Sequence, residues 1–506
     1  MTLKQTQTPK SVAVIGGGIT GLAAAQRLAA VGCDVRVTLF EASGRLGGLI
    51  HTVRKNGYLI ERGPDSFITN KPGGVRLCED IGFSSQLIPT DSAWRRSLVL
   101  RNGQPLPVPD GYMLMAPSNL QAIRETPVLS EAGRQRLLAE VDVPARTENT
   151  DESLADFVRR RFGSEVLERL VQPLVGGIYT SDPEKLSLEA TLPRFPDMER
   201  RHGSVIAATM AEQKRKAAQA ADSSAIDDDT IPISHPFAES AGSGARYGLF
   251  AAPQNGMSSL IDAIESWLKA SGKCEFRMHQ SVAQVTREEG TSGWTVTFPD
   301  GSHETFDAVV LTLPTARIAE VLPGTEFNEV TSLLRQIEYA SSAIVVSGHS
   351  LSDFRHPLDA FGLVIPHIEN RRILAVSFGS RKFAGRAPEG HILLRTFVGG
   401  AMQPEQLEHS DEQIQEIVNQ ELTSILGMHA APEFSEVVRY PHAMPQYHVG
   451  HLARVDRIHA CMQSFPSLQL AGSAFYGVGI PDSIASGRLA ADRLFSLNPG
   501  NGSGKP

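Results

Sequence analysis

Residues 12–41 read VAVIGGGITGLAAAQRLAAVGCDVRVTLFE, and the fold is decided there. The apolar run Val12–Ile15 predicts a buried strand, and Gly16, Gly17, Gly18 and Gly21 build the G-x-G-x-x-G turn into a helix predicted over Leu22–Val31. In such a turn the first glycine permits the tight bend and the second lets a pyrophosphate reach the backbone at a helix N-terminus. The last lets helix pack on strand. A second strand, predicted over Asp34–Phe40, ends in Glu41, placed to accept a hydrogen bond from an adenosine ribose hydroxyl. Strand, turn, helix, strand and terminal acid together predict a dinucleotide site. A glycine-rich turn in another βαβ unit would lack this complete set.

Beyond Glu41 the chain runs Ala42-Ser43-Gly44-Arg45-Leu46-Gly47-Gly48 and later Glu61-Arg62-Gly63-Pro64-Asp65-Ser66. An acid followed by R-x-G-G resembles the FAD-binding oxidoreductases that include amine oxidases, phytoene desaturases and porphyrinogen oxidases. That resemblance implies non-covalent FAD, with Arg45 and the glycines along the pyrophosphate and flavin. It also implies an α/β fold: a Rossmann-like FAD-binding domain carrying inserted substrate-binding and helical domains.

Composition bounds the rest. The chain has 506 residues, 41% hydrophobic and 21% charged, which are globular values and enough for two or three domains. Its formal net charge of −8 argues against general nucleic-acid affinity. Cys33, Cys78, Cys274 and Cys461 show neither C-x-x-C nor zinc spacing and read as reduced thiols, so a cytoplasmic enzyme is expected. No secretory signal is read in Met1–Lys10 and no apolar run of about 18 residues is present, so no transmembrane helix is expected. Neither a Ser/His/Asp signature nor metal-ligand spacing appears, and His442, His448 and His451 are expected to be structural or flavin-proximal rather than ligands to a metal.

The FAD-binding domain is expected to be discontinuous, formed from 1–89, 250–314 and 440–506. Ser281–Glu288, Gly293–Phe298 and Ser302–Asp307 alternate as a three-stranded meander, and Ala308–Leu313 returns as a buried strand. The family resemblance places Val282 against adenine. Leu468–Ala471 reads as a strand, Gly472–Gly479 as a turn and Ile480–Phe495 as a helix, with Pro481 suited to its first turn and Ile484, Gly487, Ala491 and Leu494 inward. Amides beginning at Val478, Gly479 and Ile480 would then meet the flavin pyrimidine ring and favour its reduced form. A helical domain is expected over 90–205 and a substrate-binding domain over 315–439, with strands at Ala343–Gly348 and Ile392–Gly399 and a helix at Ser410–Leu426. An acidic, Ala- and Ser-rich insertion is expected over 206–249, with Lys214–Arg246 a surface segment without clean periodicity.

Four further strings narrow the resemblance: ERGPDSF at Glu61–Phe67, QPLVGGIYTSDPEKLSL at Gln172–Leu188, MPQYHVGH at Met444–His451 and GVGIPDSI at Gly477–Ile484. In order along the chain they resemble the porphyrinogen oxidases of haem biosynthesis, in particular the soluble bacterial coproporphyrinogen-oxidising type. Ser483 stands where many of that family carry cysteine. The resemblance implies oxidation of coproporphyrinogen III to coproporphyrin III with dioxygen as acceptor and peroxide released, and protoporphyrinogen IX as the alternative substrate. It implies no catalytic side chain, since the flavin takes the hydride. Cofactor contacts are implied at Gly16, Gly17, Gly18, Gly21, Glu41, Ala42, Arg45, Gly48, Gly63, Pro64, Asp65, Ser66, Val282, Gly472, Val478, Gly479 and Ile480. On the substrate side it implies Arg96 near a propionate, with Tyr179 and Phe475 lining the cavity. The Arg159–Arg161 run is expected to be a solvated helix face, and Tyr112–Met115 a patch capable of at most weak membrane contact. Other haem-pathway enzymes are further candidate partners. Two different readings stand beside this one: a flavin amine oxidase or carotenoid desaturase, and a flavin-bearing scaffold or carrier without turnover.

Overall fold

The computed structural model describes residues 10–30, 35–148, 150–222, 250–287 and 293–495. Its first layer system is a five-stranded sheet in the order Cys274–Met278, Arg36–Glu41, Ser11–Ile15, Ala308–Leu311 and Leu468–Leu470, with every neighbouring pair parallel. Strands covered on both faces need apolar residues at consecutive positions, which is why Val12–Ile15 and Ala308–Leu311 read as unbroken runs. Val12, Val14 and Val310 face one core, with the helices Ile19–Ala30, Ser258–Ser271 and Ile480–Phe495. Ala13, Ile15, Val309 and Leu311 face another, under the meander and the helices Thr315–Val321, Asn328–Arg335 and His451–Met462.

The predicted elements are found with shifted ends. The first helix is Ile19–Ala30, so Gly21 lies inside its first turn rather than before it. The meander strands are Gln284–Arg287, Trp294–Thr297 and His303–Phe306, paired antiparallel. The last helix spans Ile480–Phe495, with Ile484, Gly487, Ala491 and Leu494 buried as its spacing requires. Cys33 and most of Lys214–Arg246 lie outside the described residues. The start of that segment needs a correction, because it continues the helix Val205–Asp222; alanine, lysine, arginine and glutamine are strong helix formers even without a periodic apolar face.

The second sheet has seven strands in the order Phe434–Pro445, Tyr339–Ser350, His391–Gly399, Ala375–Phe378, Gly362–Val364, Leu98–Arg101 and Gln104–Pro107. The helix Asp411–Leu426 covers one face, capped by Ser410, whose hydroxyl accepts from the Gln413 amide. Two expected domain limits move as a result. The hairpin Leu98–Pro107, assigned above to the helical unit, extends this sheet, and residues 315–337 pack into the core beneath the nucleotide sheet.

The helical unit closes around Phe157, Phe162, Leu170 and Phe195. Tyr112 and Met115 are buried in that core, and Met113 and Leu114 are partly exposed. One expectation about the unit's surface is corrected: the arginine run is not a solvated face. Arg159 pairs with Glu184 outside, Arg160 bridges Glu152 and Glu199, and Arg161 is wholly buried against Glu140 and Glu199. Consecutive helical residues turn by about 100°, so three in a row cannot share one face. No helix among the described residues is long and apolar enough to cross a membrane.

Buried His349 and His451 predict acid sensitivity. Burial pushes each imidazole down to about 4; the carboxylates of Asp353 and Glu433 oppose this at His349, and the Phe475 carbonyl opposes it at His451. The unfolded chain therefore binds protons below about pH 6.5 that the folded chain refuses until about pH 4, so stability falls as pH drops through that window. The melting temperature is expected to decline from pH 7 to pH 5, and His451→Gln to flatten the slope. An unchanged slope in the variant would contradict the assignment for His451.

Candidate functional site

The glycine turn sits at the carboxyl ends of Ser11–Ile15 and Arg36–Glu41, the edge at which open parallel sheets bind nucleotides. Each glycine meets a different surrounding. Gly16 holds φ +112°, and Thr312 Oγ1 donates to the Ile15 and Gly16 carbonyls at 2.9 and 3.0 Å, fixing the bend. A Cβ on Gly21 would stand 1.9 Å from the Gly16 oxygen, so here the helix crosses the turn in contact. A Cβ on Gly18 would meet nothing nearer than the Gly48 Cα at 4.0 Å. The space above Gly18 is therefore open, and it is where a pyrophosphate approaches in such a turn.

Glu41 is held at the rim of this space. Its Oε2 accepts from the Gly17 amide at 2.8 Å, and its Oε1 accepts from the Ser43 amide and hydroxyl at 2.8 and 2.7 Å. A carboxylate has about four lone-pair sites, which leaves capacity for a ribose hydroxyl. Ala42 follows in an exposed bend. The amide of Gly47 donates to the Gly17 carbonyl at 2.8 Å, which lays the R-x-G-G loop along the turn with Gly47 bridging Gly18 and the Gly48 Cα facing it. Arg45 wraps this loop, donating to the Ile50, Leu46 and Gly48 carbonyls at 2.9, 3.2 and 2.5 Å. Val282 arrives at the same edge, since His279 and Gln280 donate to the Ser43 and Glu41 carbonyls just before it.

Gly63, Pro64, Asp65 and Ser66 form a loop held from the seven-stranded sheet. Lys382 Nζ lies 2.9 Å from Asp65 Oδ1 and 3.0 Å from Ser66 Oγ, and Arg395 lies 3.0 Å from Asp65 Oδ2 while also donating to the Gly63 carbonyl. These two cations overcome the burial of Asp65 and hold its carboxyl well below the usual range. The Asp65 side chain thus anchors the loop to the seven-stranded sheet. Lys382 and Arg395 carry no sequence signal, because 317 residues separate Lys382 from Asp65.

The closing wall joins three of the four family strings. The Ser187 amide donates to the Tyr447 carbonyl at 2.7 Å, the Val449 amide to Lys185 at 2.9 Å, and Gln446 Nε2 to Tyr179 at 3.4 Å. Tyr447 then reaches the turn Gly472–Gly479, donating to the Ser473 carbonyl at 2.5 Å and accepting from the Gly477 amide at 2.8 Å. Gly472 donates to Ser486 Oγ at 3.0 Å, and Val478, Gly479 and Ile480 lead into the final helix.

The substrate-side candidates are spread further apart. Arg96 is half exposed and paired with Asp359, in a segment whose Trp94 ring lies under the Arg381 guanidinium at 4.4 Å. Tyr179 turns its hydroxyl to the Thr191 carbonyl at 3.1 Å. Phe475 is 1% exposed, in the core under the meander. A cavity of about 280 Å³ opens between the R-x-G-G loop and the strand Phe434–Pro445, lined by Arg45, His51, Arg62, Arg439 and Tyr440. Burial and the nearby Arg45 and Arg62 hold His51 below its usual value. A larger cavity of about 630 Å³, lined by Arg146, Asp151, Arg200 and Leu452, touches none of the glycine-turn residues. No group of three His, Cys, Asp or Glu side chains among the described residues is arranged to hold a metal ion.

The open lane over Gly18, the fixed acid at Glu41 and the second loop crossing the turn leave the room and the acceptor that a dinucleotide such as FAD requires. The chain belongs to the flavin containing amine oxidoreductase family, whose model matches residues 19–495. It is an FAD-dependent oxidoreductase. It is 32% identical to the coproporphyrinogen III oxidase of Staphylococcus aureus over 491 residues, 96% of this chain and 99% of that one. To the coproporphyrinogen III oxidase of Propionibacterium freudenreichii it is 34% identical over 488 residues, covering 95% and 90%. A crystal structure of a provisionally named protoporphyrinogen oxidase from Exiguobacterium sp. 255-15 superposes with a TM-score of 0.80 at 29% identity, covering 96% of this chain and 98% of that chain.

Proposed function

We propose that this chain is a porphyrinogen oxidase of haem biosynthesis that converts coproporphyrinogen III to coproporphyrin III with dioxygen as the electron acceptor. The observation that carries the reading is the joined wall: three strings that resemble those of porphyrinogen oxidases meet through Tyr447 at one turn beside the nucleotide edge. The two coproporphyrinogen III oxidases that match nearly the whole chain support the same substrate class. FAD, when bound, supplies the hydride acceptor. Three oxidations remove six electrons and six hydrogens from the macrocycle, and three dioxygen molecules carry them away as peroxide.

The chain's own part is to hold and orient. Glu41 and the open face of Gly18 receive the dinucleotide, and Lys382 and Arg395 keep the Gly63–Ser66 loop in place through Asp65. Arg96 is the propionate partner in this reading, exchanging Asp359 for a substrate carboxylate in a bidentate contact. Tyr179 shapes the cavity from the helical side, and Phe475 acts from beneath the flavin turn rather than at the cavity surface.

The test is turnover in air by the purified yellow protein, following porphyrin fluorescence and peroxide with coproporphyrinogen III and protoporphyrinogen IX separately. Faster oxidation of coproporphyrinogen, with peroxide and porphyrin in a ratio of about three, is the expected result. A preference for protoporphyrinogen would overturn the substrate assignment. Rates for both no greater than spontaneous oxidation would overturn the function.

A further inference from the structure

The turn Gly472–Gly479 has no ladder of its own, yet it connects the strand Leu468–Leu470 to the N-terminus of the helix Ile480–Phe495. The strand lies beside Ala308–Leu311 in the parallel sheet, so the turn leaves its carboxyl end on the same edge as the glycine turn. Two buried side chains from one short stretch pin this turn at alternate residues. Tyr447 takes the Ser473 carbonyl and the Gly477 amide, and His451 Nε2 lies 3.0 Å from the Phe475 carbonyl. A carbonyl only accepts, so Nε2 carries the proton and the ring is the Nε2–H tautomer when neutral. The Tyr447 and His451 rings stack at 4.0 Å with 13° between their planes, and relative exposure is 1% and 0%. Each therefore holds the other's orientation while its polar atom holds the turn.

The same stretch is tied to the substrate side. Gln446 donates from its amide to Glu338 at 2.8 Å and from its side chain to Tyr179. Thr180 follows in the left-handed conformation at φ +48°, and its carbonyl accepts from Ala401 at 2.9 Å. A shift of the Tyr179–Thr180 corner would thus be felt at Gly477 through Gln446 and Tyr447.

We infer that Tyr447 and His451 are positioning residues for the flavin: they preorganise the amides of the turn and of the following helix that stabilise its reduced, negatively charged form. Preorganised donors in a low-dielectric site cost no reorientation when charge develops, and a helix N-terminus adds to their field. Loosening the clamp leaves the cofactor bound through the glycine turn and Glu41 but makes reduction harder. The inference rests on the FAD assignment and not on the porphyrinogen assignment, so the two fail separately.

Tyr447→Phe removes one hydroxyl and keeps the stacked ring. In the holoenzyme without substrate, FAD content is expected to remain stoichiometric. In a dye-coupled reductive titration, the ratio of reduced to oxidised flavin at a fixed dye ratio is expected to fall on the order of tenfold, about the worth of one hydrogen bond to the turn. Sulfite, which adds to flavin N5 and places negative charge on the ring, is expected to bind the variant correspondingly more weakly. His451→Gln keeps a donor for the Phe475 carbonyl and is expected to restore most of the potential lost in His451→Leu. An unchanged potential and sulfite affinity in Tyr447→Phe, even with a lower melting temperature, would reduce Tyr447 to a structural role and overturn the inference. Should Tyr447→Phe fail to yield holoenzyme, equal potentials in His451→Gln and His451→Leu would overturn it.

Discussion

Gly18→Val is expected to yield folded, colourless protein. The backbone at Gly18 lacks the positive φ of Gly16, so valine meets no left-handed strain there. Its first added carbon would meet only the Gly48 Cα at 4.0 Å, ordinary van der Waals contact. The isopropyl group instead fills the lane over the turn through which a pyrophosphate approaches the helix N-terminus. FAD content after gel filtration should fall by at least a hundredfold, while the far-UV circular dichroism stays that of the apoprotein. Gly21→Val is the control with the opposite outcome. Its Cβ would lie 1.9 Å from the Gly16 oxygen and 2.8 Å from Thr312 Oγ1, so helix and strand must separate and the protein should not accumulate folded. Stoichiometric flavin in Gly18→Val would contradict the placement of the pyrophosphate.

The contrast between those two glycines shows what local spacing carries. Steric demands within some thirty residues are written in order along the chain, so the strand, turn, helix and Glu41 are legible, as is the final helix with its proline in the first turn. Long-range partners are not. Asp65 reads as part of a cofactor loop, but the groups that consume its charge, Lys382 and Arg395, come from the far sheet with no pattern in common with it. MPQYHVGH is recognisable as a family string, yet nothing in its spacing says that Tyr447 reaches Ser473 and Gly477, because that contact is created only when the second sheet docks on the first. Arg96 is similarly mute: its ion pair with Asp359 spans 263 positions. The helical unit was the least legible for a related reason. Its charge run looks like surface when counted by composition, and only the packing of 140–143 and 199–206 around the helix Leu154–Arg161 turns one arginine inward.

That arginine carries the largest expected loss of stability. Arg161 donates to Glu140 Oε1 and to the carbonyls of Val143, Pro144 and Gly203, and lies 3.1 Å from Glu199 Oε1. Glu140 in turn accepts from the Ser204 hydroxyl and from the Val205 and Ile206 amides at 3.0 and 3.1 Å, so it closes the N-terminus of the helix Val205–Asp222. Both side chains are 0% exposed. Arg161→Leu keeps bulk but leaves Glu140 as a buried anion with only neutral donors, and breaking such a pair from one side costs about 3–5 kcal/mol. Glu199 is partly spared because Arg160 still reaches it at 2.6 Å. The expected result is a lower urea midpoint together with faster amide exchange in Val205–Asp222. Adding Glu140→Gln to Arg161→Leu should recover part of the loss, since the amide removes the stranded charge while its one oxygen still accepts from one of the Val205 and Ile206 amides. Arg159→Leu, whose partner Glu184 is half exposed, should cost no more than about 1 kcal/mol. Equal losses at Arg159 and Arg161 would mean that the run acts as the uniform solvated face its composition suggests, and the buried network would have to be abandoned.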